Sequence, residues 1–398
     1  MVKVTLEGVV VIDFSTLIAA PLIGTLLADF GAEVIKVELP KVGDSTRGGG
    51  RSPGLRSLFW LTMNRNKKSI TLDLHKKKGQ DIARKLCSKA DVVLFNFRPG
   101  VIEKWNLGPE VLHKVNPDLI IGLVSGYGQT GPYKHKGGYD RTVSAFSGLT
   151  YTSGYPEHPP VRSGFPLIDY LTGYLGAFAV MTALYNRDVN KSGGEVMDLS
   201  LNEAAFKTSG GALSIYSKTG DIYERSGNRI PFVVPAENFE TKDGRNVAIN
   251  ANSVKQWEIL TGAMGRSDLL NDKKFDSVLN RFQNQDELYK IIGEWVNNYT
   301  AEEIMEILEE VGIPCEKVNN IADLANHPHM VQREAIIEYD DYEFGKILVP
   351  GIVPKLKNFP GQIRYLGVKL GEYNQEIYKE LLGLTSEEIK DLEEKGVI

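Results

Sequence analysis

The chain has 398 residues, 42% hydrophobic and 24% charged, with a formal net charge of −5. This is ordinary globular composition, long enough for two or three domains, and its mild acidity lacks the basic footprint of a nucleic-acid binder. Its 2 cysteines, Cys87 and Cys315, lie too far apart in sequence to imply a disulfide framework or a metal cluster, and a reducing cytoplasm fits them.

The opening MVKVTLEGVVVIDFS lacks an apolar core with a small-residue cleavage site, so no secretory leader is expected. GVVVIDFS (8–15) is a β-branched run of the kind that forms a strand buried on both faces. PLIGTLLADFG (21–31) has proline near its start and glycine after its end, the helix asymmetry. AEVIKVELP (32–40) reads as a second strand, 76–88 as a helix, and DVVLFNF (91–97) and DLIIGLVSGYG (118–128) as further strands. This alternation predicts right-handed crossovers and an open, mostly parallel α/β sheet of Rossmann type.

The apolar stretch that begins at Tyr170 and runs to Asn186 has no charged residue. With its polar residues and glycines it reads as a buried helix rather than a membrane span. GEVMDLSLNEAAFKTSGGALSIY (194–216) reads as a strand feeding a helix. Residues 227–251 read as loop, strand, a KDGR turn and strand; 253–312 as helices; and 374–398 as an amphipathic helical tail. The predicted organisation is a large Rossmann-like domain of 1–215 and 335–398 and a smaller α+β domain of 225–330. Residues 216–224 and 331–334 link them.

The first strand–helix turn, DFSTLIAAP (13–21), has no glycine, so the dinucleotide fingerprint is missing, and no G-x-x-x-x-G-K-[ST] loop occurs. NAD and ATP are therefore not expected, and the six histidines show no metal-ligand spacing. The basic stretch MNRNKKSITLDLHKKKG (63–79) reads either as a solvated face or as a docking face for a polyanion. Asn96, Phe97 and Arg98 close a strand at the sheet's carboxyl edge, where open α/β folds bind ligands. Asp169 stands alone before the apolar helix. It reads either as an N-cap or as a carboxylate held ionised by the helix start and able to attack an activated carbonyl.

Several segments together resemble the class III (CaiB/BaiF-type) CoA-transferases, the family of formyl-CoA and carnitine CoA-transferases, to which α-methylacyl-CoA racemase is related. They are IDFSTLIAAPLIGTLLADFGAEVIKVELPKVGDSTR (12–47), NRNKKSITLDL (64–74), NFRPGVIEKWNLG (96–108), GQTGPYKHKGGYDRTVSAFSGL (128–149), IDYLTG (168–173), GNRIPFVVP (227–235) and GIPCEKVNNIADL (312–324). The resemblance implies an interlocked homodimer and transfer of CoA from an acyl-CoA to a free carboxylic acid through an aspartyl intermediate. Asp169, in DYLTG, matches the family's nucleophile. For CoA binding it implies Leu17, Ile18, Leu39, Leu72, His75, Asn96, Phe97, Arg98, Lys104, Lys136 and Tyr139. Ile18 departs from a frequent glutamine, Leu39 from an arginine for which Lys67 or Lys68 would compensate, and Lys104 from a common arginine. Tyr139 stands in GGYD where the racemase branch has a catalytic histidine, and a phenol is a poor base near neutral pH. Transfer is therefore expected over the alternatives, acyl-CoA racemisation and non-catalytic acyl-CoA binding. The expected protein is cytoplasmic, with acyl-CoA and a carboxylic acid as its small-molecule partners and neither nucleic acid nor membrane among them.

Overall fold

The computed structural model describes residues 5–48 and 56–398. They form two compact units. One comprises residues up to Thr150, Arg162–Gly220 and His329–Ile398; the other comprises Tyr151–Val161 and Asp221–Pro328.

The first unit is built on a six-stranded sheet. Its strands are β1 (Val10–Asp13), β2 (Glu33–Glu38), β3 (Lys67–Thr71), β4 (Val92–Phe95), β5 (Ile120–Ser125) and β6 (Glu195–Ser200). They lie in the order β3-β2-β1-β4-β5-β6, all neighbours parallel. The expected Rossmann-like sheet is thus present, and its strand order reverses between β1 and β4. The helices around it are α1 (Ala19–Asp29), α2 (Leu58–Met63), α3 (Lys77–Cys87), α4 (Val101–Lys104), α5 (Pro109–Val115), α6 (Asp140–Phe146), α7 (Leu167–Asn190) and α8 (Leu201–Phe206).

Strand side chains alternate between two cores. Val11, Val34, Val92, Leu94 and Ile120 pack with α1 and α7. Ile12, Ile35, Ile70, Val93, Phe95 and Ile121 pack on the other face with α3, α5 and the chain's carboxyl-terminal residues Ile377, Tyr378, Ile389 and Leu392. The tail is two helices, Asn374–Glu380 and Ser386–Glu394, rather than one. Tyr378 Oη donates to the Thr71 carbonyl at 2.6 Å, which ties the tail to the end of β3.

Two glycines set the approach of α7 to α1. A Cβ on Gly173 would lie 2.6 Å from Leu22 Cδ2, and one on Gly176 would lie 2.3 Å from Ile23 Cδ1. The other face of α7 is apolar and open: Phe178 is 71% exposed and Tyr185 65%. By length and composition alone α7 is apolar enough to cross a membrane.

The basic stretch 63–79 divides in two: His75, Lys76, Lys77 and Lys78 are a solvated face at the start of α3, whereas the centre is β3, a sheet strand whose two lysines are already paired. The Lys67 ammonium, 1% exposed, donates to Asp13 Oδ2 (3.0 Å), the Pro21 carbonyl (2.6 Å) and Asn64 Oδ1 (3.2 Å). Lys68 bridges Glu33 and Glu376, and Lys76 Nζ caps the carbonyls of Lys395 and Gly396. Neither Lys67 nor Lys68 is therefore available to replace the cation missing at Leu39.

The second unit carries the antiparallel strands Ala236–Glu240, Asn246–Asn250 and Cys315–Lys317, covered by helices from Val254 to Glu310. Residues 151–161, which chain order puts with the large domain, pack here instead. Tyr151 Oη donates to Glu224, Arg225 Nη1 donates to the Tyr151 carbonyl, and Gly227 N donates to the Gly154 carbonyl.

Candidate active site

At the carboxyl end of β1 the chain enters a loop, 14–18, pinned by groups distant in sequence. Asp13 is fully buried, and its Oδ1 accepts from Ser15 N at 3.0 Å. Burial alone would raise its pKa, but Lys36 and Lys67 outweigh that and hold it below the usual carboxylate value. Lys67 is lowered in turn to about 8, chiefly by burial. Asn96, just past β4, accepts from Thr16 N at 2.9 Å and donates to the Thr16 carbonyl at 2.7 Å. Asp44 Oδ2 accepts from Leu17 N at 3.2 Å, while Leu17 sits at φ 69°, a left-handed conformation that a branched residue rarely holds without such support.

The pinned loop forms one wall of a cleft over the β1/β4 reversal, where open α/β sheets place their ligands. The cleft brings together Leu17, Ile18, Asn96, Phe97, Arg98, Lys136, Tyr139 and Asp169. Sequence reading missed Lys134 in the same wall; its signal was proximity to Lys136 in PYKHKGG. None of Arg98, Lys134 and Lys136 has a carboxylate partner within salt-bridge distance among the described residues. The ammonium of Lys136 sits 4.6 Å from the Tyr133 ring centre. The result is a cleft rich in cations around one carboxylate.

A second cleft adjoins the first along Thr16 and Phe97. Phe14, Leu39, Leu72, Leu74, His75 and Trp105 line it, with Lys36 and Asp44 at its base. Leu39, Leu72 and His75 therefore collect in an apolar slot. The His75 ring meets Trp105 edge-on at 5.6 Å and lies 3.0 Å from Asp73 Oδ1. Arg47 is committed to Glu38 (2.7 and 2.8 Å). Lys104 is exposed at the end of α4 and lines neither cleft.

Asp169 is not the N-cap of its helix. That position is Pro166, which has no side-chain acceptor, and Asp169 lies inside the first turn. The cap comes from 28 residues upstream: Asp140 Oδ2 accepts from Ile168 N at 2.8 Å, and from Asp169 N at 3.3 Å. Among the described residues nothing donates to the Asp169 carboxylate. Its pKa is pushed from 3.8 up to about 7, first by burial and then by the Asp140 charge. The expectation that the helix start keeps it fully ionised is corrected accordingly: the first-turn N–H groups answer to Asp140, and Asp169 keeps free lone pairs.

A family model, CoA-transferase family III, matches residues 6–374. Over 99% of its length the chain is 39% identical to the succinyl-CoA–D-citramalate CoA-transferase of Chloroflexus aurantiacus, of which 98% is covered. It is 31% identical over 99% of its length to the human succinyl-CoA:glutarate CoA-transferase, of which 90% is covered. A crystal structure of a CaiB/BaiF family protein from Brucella suis superposes with a TM-score of 0.86 at 28% identity, covering 95% of this chain and all of that one. The chain belongs to CoA-transferase family III.

Proposed function

We propose that the protein moves CoA from an acyl-CoA to a free carboxylic acid with Asp169 as the nucleophile. The observation that carries this is a half-buried carboxylate to which none of the described residues donates, opening into a cation-lined cleft at the sheet reversal. An Asp169 oxygen bonds to the acyl carbon of the thioester, and the C–S bond breaks with its electron pair leaving as CoA thiolate. The thiolate then attacks the Asp169 carbonyl carbon, releasing the donor acid and leaving an aspartyl–CoA thioester. The acceptor carboxylate attacks this thioester, giving a mixed anhydride as the CoA thiolate leaves; the thiolate then attacks the acceptor's carbonyl, forming the new acyl-CoA and releasing the Asp169 carboxylate. Each step exchanges one activated acyl bond for another, so the scheme needs no ATP, NAD or metal.

The apolar slot would take the adenine against Leu39, Leu72 and His75, and Thr16 and Phe97 would mark the passage to the reacting cleft. Arg98, Lys134 and Lys136 suit the anionic groups of CoA and of the acids. The names of the relatives support succinyl-CoA as donor and short dicarboxylic or hydroxy acids as acceptors. We assign the chain to the cytoplasm, where both cysteines would stay free. We also assign a second copy of the chain, rather than lipid, to the open face of α7.

The test is Asp169→Ala with succinyl-CoA and citramalate, malate or glutarate. Transfer should be lost, and hydroxylamine should mark Asp169 in the wild type only after acyl-CoA is added. Wild-type transfer by the variant would refute the reading. Sedimentation at micromolar concentration tests the second copy.

A further inference from the structure

We propose that Asp140 is a positioning residue for Asp169, docking the first turn of α7 onto the start of α6 and facing the nucleophile with a like charge that is relieved when Asp169 is acylated. This rests on the role given to Asp169 above.

The geometry comes first. Asp140 is the first residue of α6, and one of its oxygens, Oδ2, accepts both the Ile168 and Asp169 amides. Proline at the N-cap position leaves α7 without a side-chain cap of its own, so its opening turn depends on a carboxylate from another helix. That carboxylate lies at two helix starts at once, both of which favour negative charge. Asp140 thereby sits beside the nucleophile, bonded to the nucleophile's own backbone.

The charge has a second consequence. The titratable groups around Asp169 are Asp140 and Tyr139 at the start of α6, Arg98 after β4, and Lys134 and Lys136 from the loop before α6, which share its cleft or its backbone, and Tyr170 on α7 itself. The loop after β1 contributes Leu17 and Ile18, α1 contributes Ala19, and α8 contributes Leu201. Burial raises Asp169 first and the Asp140 charge raises it further; none of the cations offsets them. Before reaction two carboxylates stand together. When the Asp169 oxygen bonds to the acyl carbon and the C–S electron pair departs on sulfur, Asp169 becomes neutral and the negative charge moves to the thiolate. The repulsion therefore raises the free carboxylate and not the acylated one. Asp140 makes Asp169 a more basic nucleophile and drives it toward the covalent state.

The experiment separates cap from charge. Asp140→Asn keeps an oxygen for the two amides, since asparagine caps as well as aspartate, but removes the charge. Asp140→Ala removes both. Each is assayed for transfer from succinyl-CoA to a dicarboxylic acid between pH 5 and 9, alongside the wild type. The acid limb of kcat/KM reports the free enzyme. For Asp140→Asn it should move down by roughly one pH unit, so that at pH 6 the variant keeps roughly fivefold more of its own plateau than the wild type does. Hydroxylamine-trapped Asp169 at pH 8 should fall severalfold. Asp140→Ala should show the same shift and also melt lower. If Asp140→Asn will not fold, Asp140→Ser supplies a neutral cap for the same measurement. An acid limb for the neutral-cap variant that coincides with the wild type's would overturn the inference and leave Asp140 a cap alone. That failure is distinct from failure of the parent reading, in which Asp169→Ala would remain active.

Discussion

Asp169→Asn should abolish transfer and make the protein more stable, increasingly so as pH rises. The side chain is close in shape but cannot be ionised. In the unfolded chain Asp169 loses its proton near its ordinary value of 3.8, whereas in the fold it does so near 7. Between those values the folded state holds a proton that the unfolded state has released. The contribution of this group to wild-type stability therefore falls as pH rises from about 4 to about 7, and is flat above. A shift of about three pH units at ~1.4 kcal/mol each sets an upper bound of ~4 kcal/mol, and water reaching the half-buried carboxylate reduces it toward ~2 kcal/mol. The variant escapes this penalty. Urea denaturation of both proteins at pH 5 and pH 8.5 measures it, and the variant's advantage should be larger at pH 8.5 by ~1–3 kcal/mol. An advantage that is equal at the two pH values, or absent at pH 8.5, would refute the claim that this carboxylate is strained by its surroundings.

Three further outcomes are expected. Gly176→Ala places a Cβ 2.3 Å from Ile23 Cδ1; it should lower stability by about 1–3 kcal/mol, read as a lower Tm. Lys67→Met leaves Asp13 buried beside Lys36 alone and should cost about 3–5 kcal/mol in urea titrations, because an ion pair is broken on one side only. Asn96→Ala removes both bonds to the Thr16 backbone, so the Leu17 turn loosens; kcat/KM for acyl-CoA should fall by at least tenfold, while ~1–3 kcal/mol of stability is lost.

What could be read in the sequence was what is local. The β-branched run before Asp13 and the proline-to-glycine span of α1 give strand and helix directly, and DYLTGYLG places a carboxylate and two close-packing positions on one helix. What escaped was set by partners far along the chain. KKSIT reads as a charged surface because nothing near it shows that Lys67 meets Asp13, 54 residues earlier. Asn96 reads as a ligand contact, and nothing near it shows that its amide also ties down Thr16, 80 residues earlier. Asp169 reads as its own cap because capping is usually a neighbour's work, and Asp140 displaces it from 29 residues away. In each case the partner that decides what a polar side chain does is remote in sequence.

The two aspartates of this site show how one residue type is divided between architecture and chemistry. Both are largely withdrawn from water, and burial pushes both toward protonation. Asp13 meets two lysines and the Ser15 amide, so every incentive to react or to take a proton is removed, and it can only hold the loop. Asp169 meets Asp140 and no donor, so its charge stays costly and its lone pairs stay open. A carboxylate that must bond to an acyl carbon needs the second environment, because whatever stabilises the anion also blunts its attack. The ion-paired group of Asp13, Lys36, Asp44 and Lys67 fixes the loop of Thr16 and Leu17, against which the acyl group would be presented, without lending a cation to Asp169.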